Sequence, residues 1–92
     1  MKGEAMKGTL TKVKGGQAMR TDSIDGAFRE WPKPGERFFM VAPPLDPTAN
    51  VRVFTTSRIV SINDDILAGD RRMVVFTTES GSQYEVWGPA HT

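Results

Sequence analysis

The chain has 92 residues, a formal net charge of +1, one histidine and no cysteine. A chain of this length fits one domain, because natural domains are mostly about 100–150 residues long and a shorter chain has no room for two cores. The lack of cysteine excludes disulfides, thiolate nucleophiles and cysteine-bound zinc. No apolar run approaches the roughly 20 residues of a membrane-spanning helix and no signal-peptide pattern is present, so we expect a soluble, cytoplasmic protein.

Positive charge is concentrated in residues 1–20, where five basic residues face one acidic residue. Such a segment is usually a solvated terminus, although it could instead be a weak phosphate-facing arm. The tripeptide Met1-Lys2-Gly3 recurs as Met6-Lys7-Gly8, so either methionine could be the native start. We expect residues 1–7 to form a flexible extension, residues 8–87 a single domain and residues 88–92 a flexible tail.

The first half of the domain predicts two strands. Residues 8–14 interleave threonine and valine with lysine, which predicts an edge strand protected by charge. The pair Gly15-Gly16 predicts a turn, and a second strand is expected around residues 18–20. Asp25 and Gly26 then predict an irregular bend.

Two proline-containing segments predict stiff loops. Residues 30–35 hold two prolines that cannot donate to a strand ladder, and residues 43–50 hold three. Trp31 could anchor a partner, but the preferred interpretation is that it covers one open end of a barrel. Because loops carry function more often than cores do, the candidate contact residues in these segments are Trp31, Pro32, Pro34, Pro43, Pro44, Leu45 and Pro47.

The central segments predict a buried strand and a bent one. Residues 36–42 have a strong apolar content, which suggests burial on both faces or a central position. Residues 51–62 predict one long strand, or two that break near Thr56 and Ser57, where the parity of the apolar residues shifts as it does at a β-bulge. Residues 63–69 predict a single helical turn, capped by Asn63 or Asp64 and ended by Gly69.

The clearest pattern is a β-hairpin over residues 71–87, in which two runs of β-branched and aromatic residues flank a Gly-containing turn. A two-residue turn at Ser80-Gly81 would pair Thr77 with Tyr84 and Val75 with Val86. Both faces are apolar near the start of the hairpin, so that end must be covered by the N-terminal strands, a second subunit or a partner. Three further candidate contact residues lie there: Arg71, Arg72 and Trp87.

About six or seven short antiparallel strands, with at most one helical turn, predict a small all-β domain that is either a partly open barrel or a sandwich. No catalytic constellation is present. His91 lies near the chain end, away from any predicted nucleophile, and the aspartates of residues 63–70 do not match a calcium-binding loop. We therefore predict a protein that is not an enzyme, with no cofactor and no metal site.

Residues 35–38, 44–46 and 55–60, and residues 76–78 with 81–86, together resemble short uncharacterised proteins encoded by phages, prophages and other mobile elements. The resemblance covers most of the chain from residue 20 to residue 86, and its motifs are structural. It implies a small protein that binds and blocks, or adapts, a host complex such as a defence complex. The expected function is thus a non-enzymatic module that binds a protein partner, as a monomer or a homodimer.

Two alternatives remain open at this stage. Arginines beside aromatic residues would suit a small barrel that binds nucleic acid, but a pI of about 8.1 is low against the value above roughly 9 that is typical of dedicated binders. A self-associating structural or assembly protein of a phage particle is the other alternative.

Overall fold

The computed structural model describes residues 5–14, 23–42 and 52–90. These residues form six strands, which are β1 (Met6–Lys14), β2 (Ser23–Phe28), β3 (Arg37–Ala42), β4 (Arg52–Ala68), β5 (Arg71–Thr78) and β6 (Gln83–Pro89). The strands pair antiparallel in chain order, and β6 pairs with β1, so the sheet closes into a ring. The prediction of a small all-β domain is confirmed. Within the described ranges, no helix has the length and apolar character needed to cross a membrane.

The prediction that β1 is an edge strand is wrong, because β1 lies inside the sheet. It pairs with β2 on one side and with β6 on the other, because closure of the ring gives the first strand a second partner. The regular structure also extends beyond the expected limits of 8 and 87. Met6 is buried in the core and β6 continues to Pro89.

The bend predicted at Asp25 and Gly26 is wrong, because both residues lie within β2. Gly26 is needed there for a close approach: a Cβ atom at this position would lie 2.4 Å from the carbonyl oxygen of Val41 on β3. Gly26 also sits opposite Gly8 of β1, where a Cβ atom would lie 2.2 Å from the carbonyl oxygen of Trp87. The strand expected at residues 18–20 lies outside the described residues.

Strand β3 alternates between exposed and buried positions, so it is not buried on both faces. It takes the other expected arrangement, a central position between β2 and β4. Its inward side chains, Phe38, Met40 and Ala42, fill the core. In the part of the chain that the structure describes, no second layer covers the outer face of the ring, so Phe39 and Val41 are exposed.

Strand β4 is one continuous strand with the predicted irregularity. Its register with β3 shifts between the pairs Arg37–Arg58 and Phe39–Thr55, which places an extra residue near Thr56 and Ser57. The helical turn predicted for residues 63–69 is wrong, because residues 64–68 pair with the start of β5 and extend the ladder. The reversal is instead a tight turn at Gly69, which has a φ of +66°.

The predicted hairpin is formed by β5 and β6, but its register differs by one residue from the expected pairing. Phe76 faces Tyr84 and Val74 faces Val86. The Gly81 N–H donates to the Thr78 carbonyl oxygen at 2.9 Å, and Gly81 has a φ of +89°. The loop of this hairpin, a turn followed by a glycine with positive φ, is therefore longer than the expected two-residue turn. Its extra residue shifts every pair of the β5–β6 ladder by one position.

The inward side chains of the six strands form one hydrophobic core. Aromatic rings from β2, β3, β5 and β6 contact one another across it, and Leu10 of β1 is fully buried beside them. The core consists of Met6, Leu10, Ile24, Phe28, Phe38, Met40, Ala42, Ile59, Val74, Phe76, Tyr84 and Val86.

Replacing Gly8 by alanine should destabilise the fold by about 1–3 kcal/mol or more, because the new methyl group would overlap the Trp87 backbone and the Phe28 ring. Chemical denaturation of the variant measures this loss. The control is Lys7→Ala on the exposed neighbouring position of β1, which should change the stability by less than about 0.5 kcal/mol. Equal effects of the two substitutions would contradict the close approach at Gly8.

Candidate functional site

Two of the predicted contact residues, Trp31 and Arg72, meet at one end of the core. The Trp31 ring packs edge-on against Phe28, with centroids 4.9 Å apart, and the Arg72 guanidinium lies 4.6 Å from the Trp31 centroid. Gly88 lies beneath the indole, where a Cβ atom would come within 3.1 Å of it. Trp31 is therefore half-buried against the core, which corresponds to the interpretation of this residue as a cover rather than a free anchor.

Arg72 also binds Asp65 through two hydrogen bonds. Its Nε donates to Oδ1 at 2.8 Å and its Nη2 donates to Oδ2 at 2.6 Å. The hydrogen bond from Arg72 lowers the pKa of Asp65, and the same bond raises the pKa of Arg72. One guanidinium thus ties the loop that carries Trp31 to both strands of the β4–β5 hairpin.

Arg71 and Trp87 form a separate pair, with the guanidinium 5.8 Å from the indole centroid. The Trp87 Nε1–H donates to Glu85 Oε1 at 3.0 Å, so the ring is held on the outer face of β6. Trp87 also lies beside Thr9 of β1. At this end of the hairpin, β1 is thus the strand neighbour of β6, and the Trp87 side chain is half-buried.

The remaining predicted contact residues divide between the loop of Trp31 and the second proline-rich segment. Pro32 is half-buried and Pro34 is exposed. Pro43, Pro44, Leu45 and Pro47 lie outside the described residues.

A groove of about 620 Å³ opens between β2 and β3, next to Trp31. Its cause is the weak pairing of these two strands, which share one ladder pair, Ala27 with Val41, whereas β3 and β4 share five. The groove is lined by Ala5, Ala27, Phe28, Arg29, Glu30, Trp31, Lys33, Glu36, Arg37, Phe38, Phe39 and Val41.

Beside the groove, three large apolar side chains form an exposed patch on the outer face of β3 and β4. Phe39, Val41 and Val53 expose 58%, 44% and 63% of their surface. Val41 and Val53 are direct cross-strand partners, and Phe39 lies two residues along β3 on the same face. These residues were not predicted as contact residues. Their signal is present in the sequence, because a strand that is apolar at both parities must expose one apolar face in a single-layered sheet.

A basic pair lies at one end of this patch. Arg37 of β3 is the cross-strand partner of Arg58 of β4, and both are exposed. Neither arginine forms an ion pair within 4.0 Å with a carboxylate of the described residues. Like charges placed opposite each other on a sheet destabilise it, and of these two residues Arg37 also lines the groove.

No protein-family model, curated protein or solved structure matches the chain. Among the described residues, no group of three or more histidine, aspartate or glutamate side chains is placed to hold a metal ion. The groove, the exposed patch and the arginine pair are adjacent in the described part of the chain, and we call their combined surface the β3 surface.

Replacing Asp65 by asparagine should cost less than about 1 kcal/mol at neutral pH, because the ion pair with Arg72 is largely exposed. A carboxylate whose pKa is lowered by folding stabilises the fold above its unfolded-state pKa, and this contribution is lost as the pH falls through the folded-state value. The stabilities of the wild type and the variant should converge once the pH falls below the lowered folded-state pKa of Asp65. Urea denaturation between pH 7 and pH 2 measures the difference, with Asp64→Asn as the neighbouring control. A gap that persists at pH 2 would contradict a charge-based role.

Replacing Arg58 by glutamate should raise the stability by about 0.2–1 kcal/mol at low salt, because it converts a repulsive cross-strand pair with Arg37 into an attractive one. Arg58→Gln, which removes the repulsion without adding an attraction, should give a smaller gain. Thermal denaturation of the wild type and both variants at low salt measures the order of their stabilities. At high salt the differences in stability should shrink, because salt screens the charges. A loss of stability in both variants would show that the arginine pair supports the fold.

Proposed function

We propose that this protein is a non-enzymatic module that binds another protein on the β3 surface. The observation that supports this proposal is the patch of Phe39, Val41 and Val53, which are exposed together rather than scattered singly. Contiguous exposed apolar patches on soluble proteins are typical of interaction sites, because the burial of such a patch against a partner removes apolar area from water.

The chemistry of the patch favours a protein partner over nucleic acid. Two of its three apolar side chains are valines, which offer contact area but no face on which a base can stack. The groove beside them mixes two carboxylates, Glu30 and Glu36, with basic residues, so it lacks the uniformly positive lining that tracks a phosphate backbone. A mixed apolar and charged surface of this kind is typical of a protein interface.

The wall of the groove is already ordered in the free protein. The Gly35 N–H donates to the Ile59 carbonyl oxygen, and the Ile59 N–H donates to the Glu36 carbonyl oxygen, both at 2.8 Å. Trp31 is held from the other side by Arg72. Preorganisation of this kind favours affinity, because less conformational freedom is lost on binding.

The resemblance to phage-encoded proteins supports a more specific form of the proposal. In that form the partner is a complex of a bacterial host, such as a defence complex, and the protein inhibits or adapts it in the bacterial cytoplasm. The β3 surface is then the face that contacts the host complex.

Affinity capture from a bacterial lysate, quantified by mass spectrometry, tests the proposal. Phe39→Glu and Val53→Glu should each reduce recovery of the partner by about tenfold or more, since a charge placed in the centre of an interface must be buried without a counter-ion. The matched control is Leu67→Glu on the β4–β5 hairpin, because Leu67 is also a large exposed apolar residue, with 68% of its surface accessible. It should leave recovery unchanged.

Circular dichroism of the three variants establishes that each is folded. Equal recovery with all three variants would contradict the β3 surface as the binding site, and loss of recovery after nuclease treatment would assign the binding to nucleic acid. Light scattering of the free wild-type protein separates a monomer from a self-associating protein. Loss of association in Phe39→Glu alone would show that the patch joins copies of this chain.

A further inference from the structure

The opening between β2 and β3 leaves one edge of β3 without a strand partner. The two strands pair at Ala27 and Val41, and among the described residues no ladder pair joins β2 to residues 37–40 of β3. On its other side β3 pairs with β4 over its whole length. The first half of β3 therefore has a ladder on one side and the groove on the other.

The backbone groups of two residues point into this opening. The Phe38 N–H donates to Thr56 Oγ1 on β4 at 3.0 Å, and the Glu36 carbonyl accepts from Ile59 of the same strand. Backbone polar groups point to alternate sides along an extended strand. The N–H and C=O groups of Arg37 and Phe39 consequently face away from β4, toward the groove.

We propose that the groove binds an extended segment of the partner protein, which adds to the sheet as a strand along residues 37–39. This inference rests on the proposed function and names the kind of partner that the β3 surface takes. In strand addition, main-chain hydrogen bonds supply affinity and alternate side chains supply specificity. The N–H and C=O groups of Arg37 and Phe39 are the main-chain groups available here.

The surroundings of the edge define the side chains of the incoming segment. One set of alternate side chains lies against Trp31 and Phe28, which form the apolar wall of the groove. The other set lies on the outer face beside Phe39 and Val41. Both sets are therefore apolar near the middle of the segment, because a polar group placed there would lose water without gaining a hydrogen bond.

The arginine pair adds one acidic position. Arg37 lines the opening, and its cross-strand partner Arg58 lies one strand away on β4; neither has a carboxylate partner among the described residues. A carboxylate on the incoming segment beside Arg37 would offset the repulsion between the two arginines and accept charge-assisted hydrogen bonds. The segment is thus an extended apolar peptide with one aspartate or glutamate that meets Arg37.

The probe is a peptide selected from a phage-displayed library of random 12-residue sequences for binding to the immobilised full chain. The most enriched sequence is synthesised. We expect a continuous run of apolar residues near its middle and at least one acidic residue. Amide hydrogen exchange, followed by NMR with and without the peptide, gives the structural readout. The amides of Arg37 and Phe39 should exchange rapidly in the free protein and become protected by at least tenfold in the complex. Phe38 and Met40, whose amides point toward β4, serve as internal controls and should change little.

Two chemical changes separate the backbone contribution from the charge. Methylation of the peptide's backbone nitrogens at every second residue should weaken binding by at least tenfold when the methylated nitrogens are those that face β3. Methylation of the other alternate set, which faces away from β3, should weaken binding much less. The double variant Arg37→Gln, Arg58→Gln should weaken binding of the acidic peptide by about tenfold. It should leave binding of the same peptide with asparagine or glutamine at the acidic position unchanged.

The proposal is overturned if N-methylation has no effect in either register, or if protection appears elsewhere and not at Phe39. Displacement of the peptide by oligodeoxythymidylate also overturns the proposal. So does protection of the Arg37 and Phe39 amides when the protein concentration is raised without peptide. If Phe39→Glu abolishes capture of the partner while the Phe39 amide stays unprotected, strand addition fails and the proposed function stands. If the peptide protects these amides while Phe39→Glu leaves capture unchanged, the edge binds peptides and the proposed function fails.

Discussion

The contact between Phe28 and Phe38 is what holds β2 against β3. These strands share one ladder pair, so backbone hydrogen bonds contribute little to their association, and the two rings, 5.5 Å apart, supply it through packing. The contact belongs to a chain of six aromatic rings that connects the loop before β3 with five of the six strands. Its members, in order of contact, are Trp31, Phe28, Phe38, Phe76, Tyr84 and Phe54. Because side chains close the ring at this point, the backbone of β3 remains accessible beside them.

Much of the fold follows from local patterns in the sequence. The hairpin of β5 and β6 is predictable because both strands are rich in β-branched and aromatic residues, and the irregularity near Thr56 follows from a shift in apolar parity. The register of the hairpin does not follow, because it depends on whether Gly81 ends a two-residue or a longer turn. The ladder formed by Asp64 and Asp65 was missed for a similar reason, since two aspartates are typical of a cap until a partner strand is known to lie beside them.

The β3 surface is harder to predict than the fold. Phe38 and Phe39 are identical neighbours in the sequence, yet one is buried and the other is exposed, and only the pairing of β3 decides between them. Selection by residue type and loop position led instead to Trp31 and Arg72, which contact each other and the core. A more reliable sign of the exposed surface is a strand that has apolar residues on both of its faces, because a sheet of one layer can bury only one face. This sign can be used only after the all-β class is assigned.

Closure of the ring by β1 and β6 also determines when the fold can form. Thr9 pairs with Trp87, so the contacts that complete the sheet join residues from opposite ends of the described chain. Contacts of such high sequence separation are formed late, since a long loop must be ordered first, and they slow folding relative to proteins of local topology. During synthesis, β1 leaves the ribosome long before its second partner exists. Until then β1 has only β2 as a neighbour, and its lysine-rich sequence keeps this temporary edge from pairing with other chains.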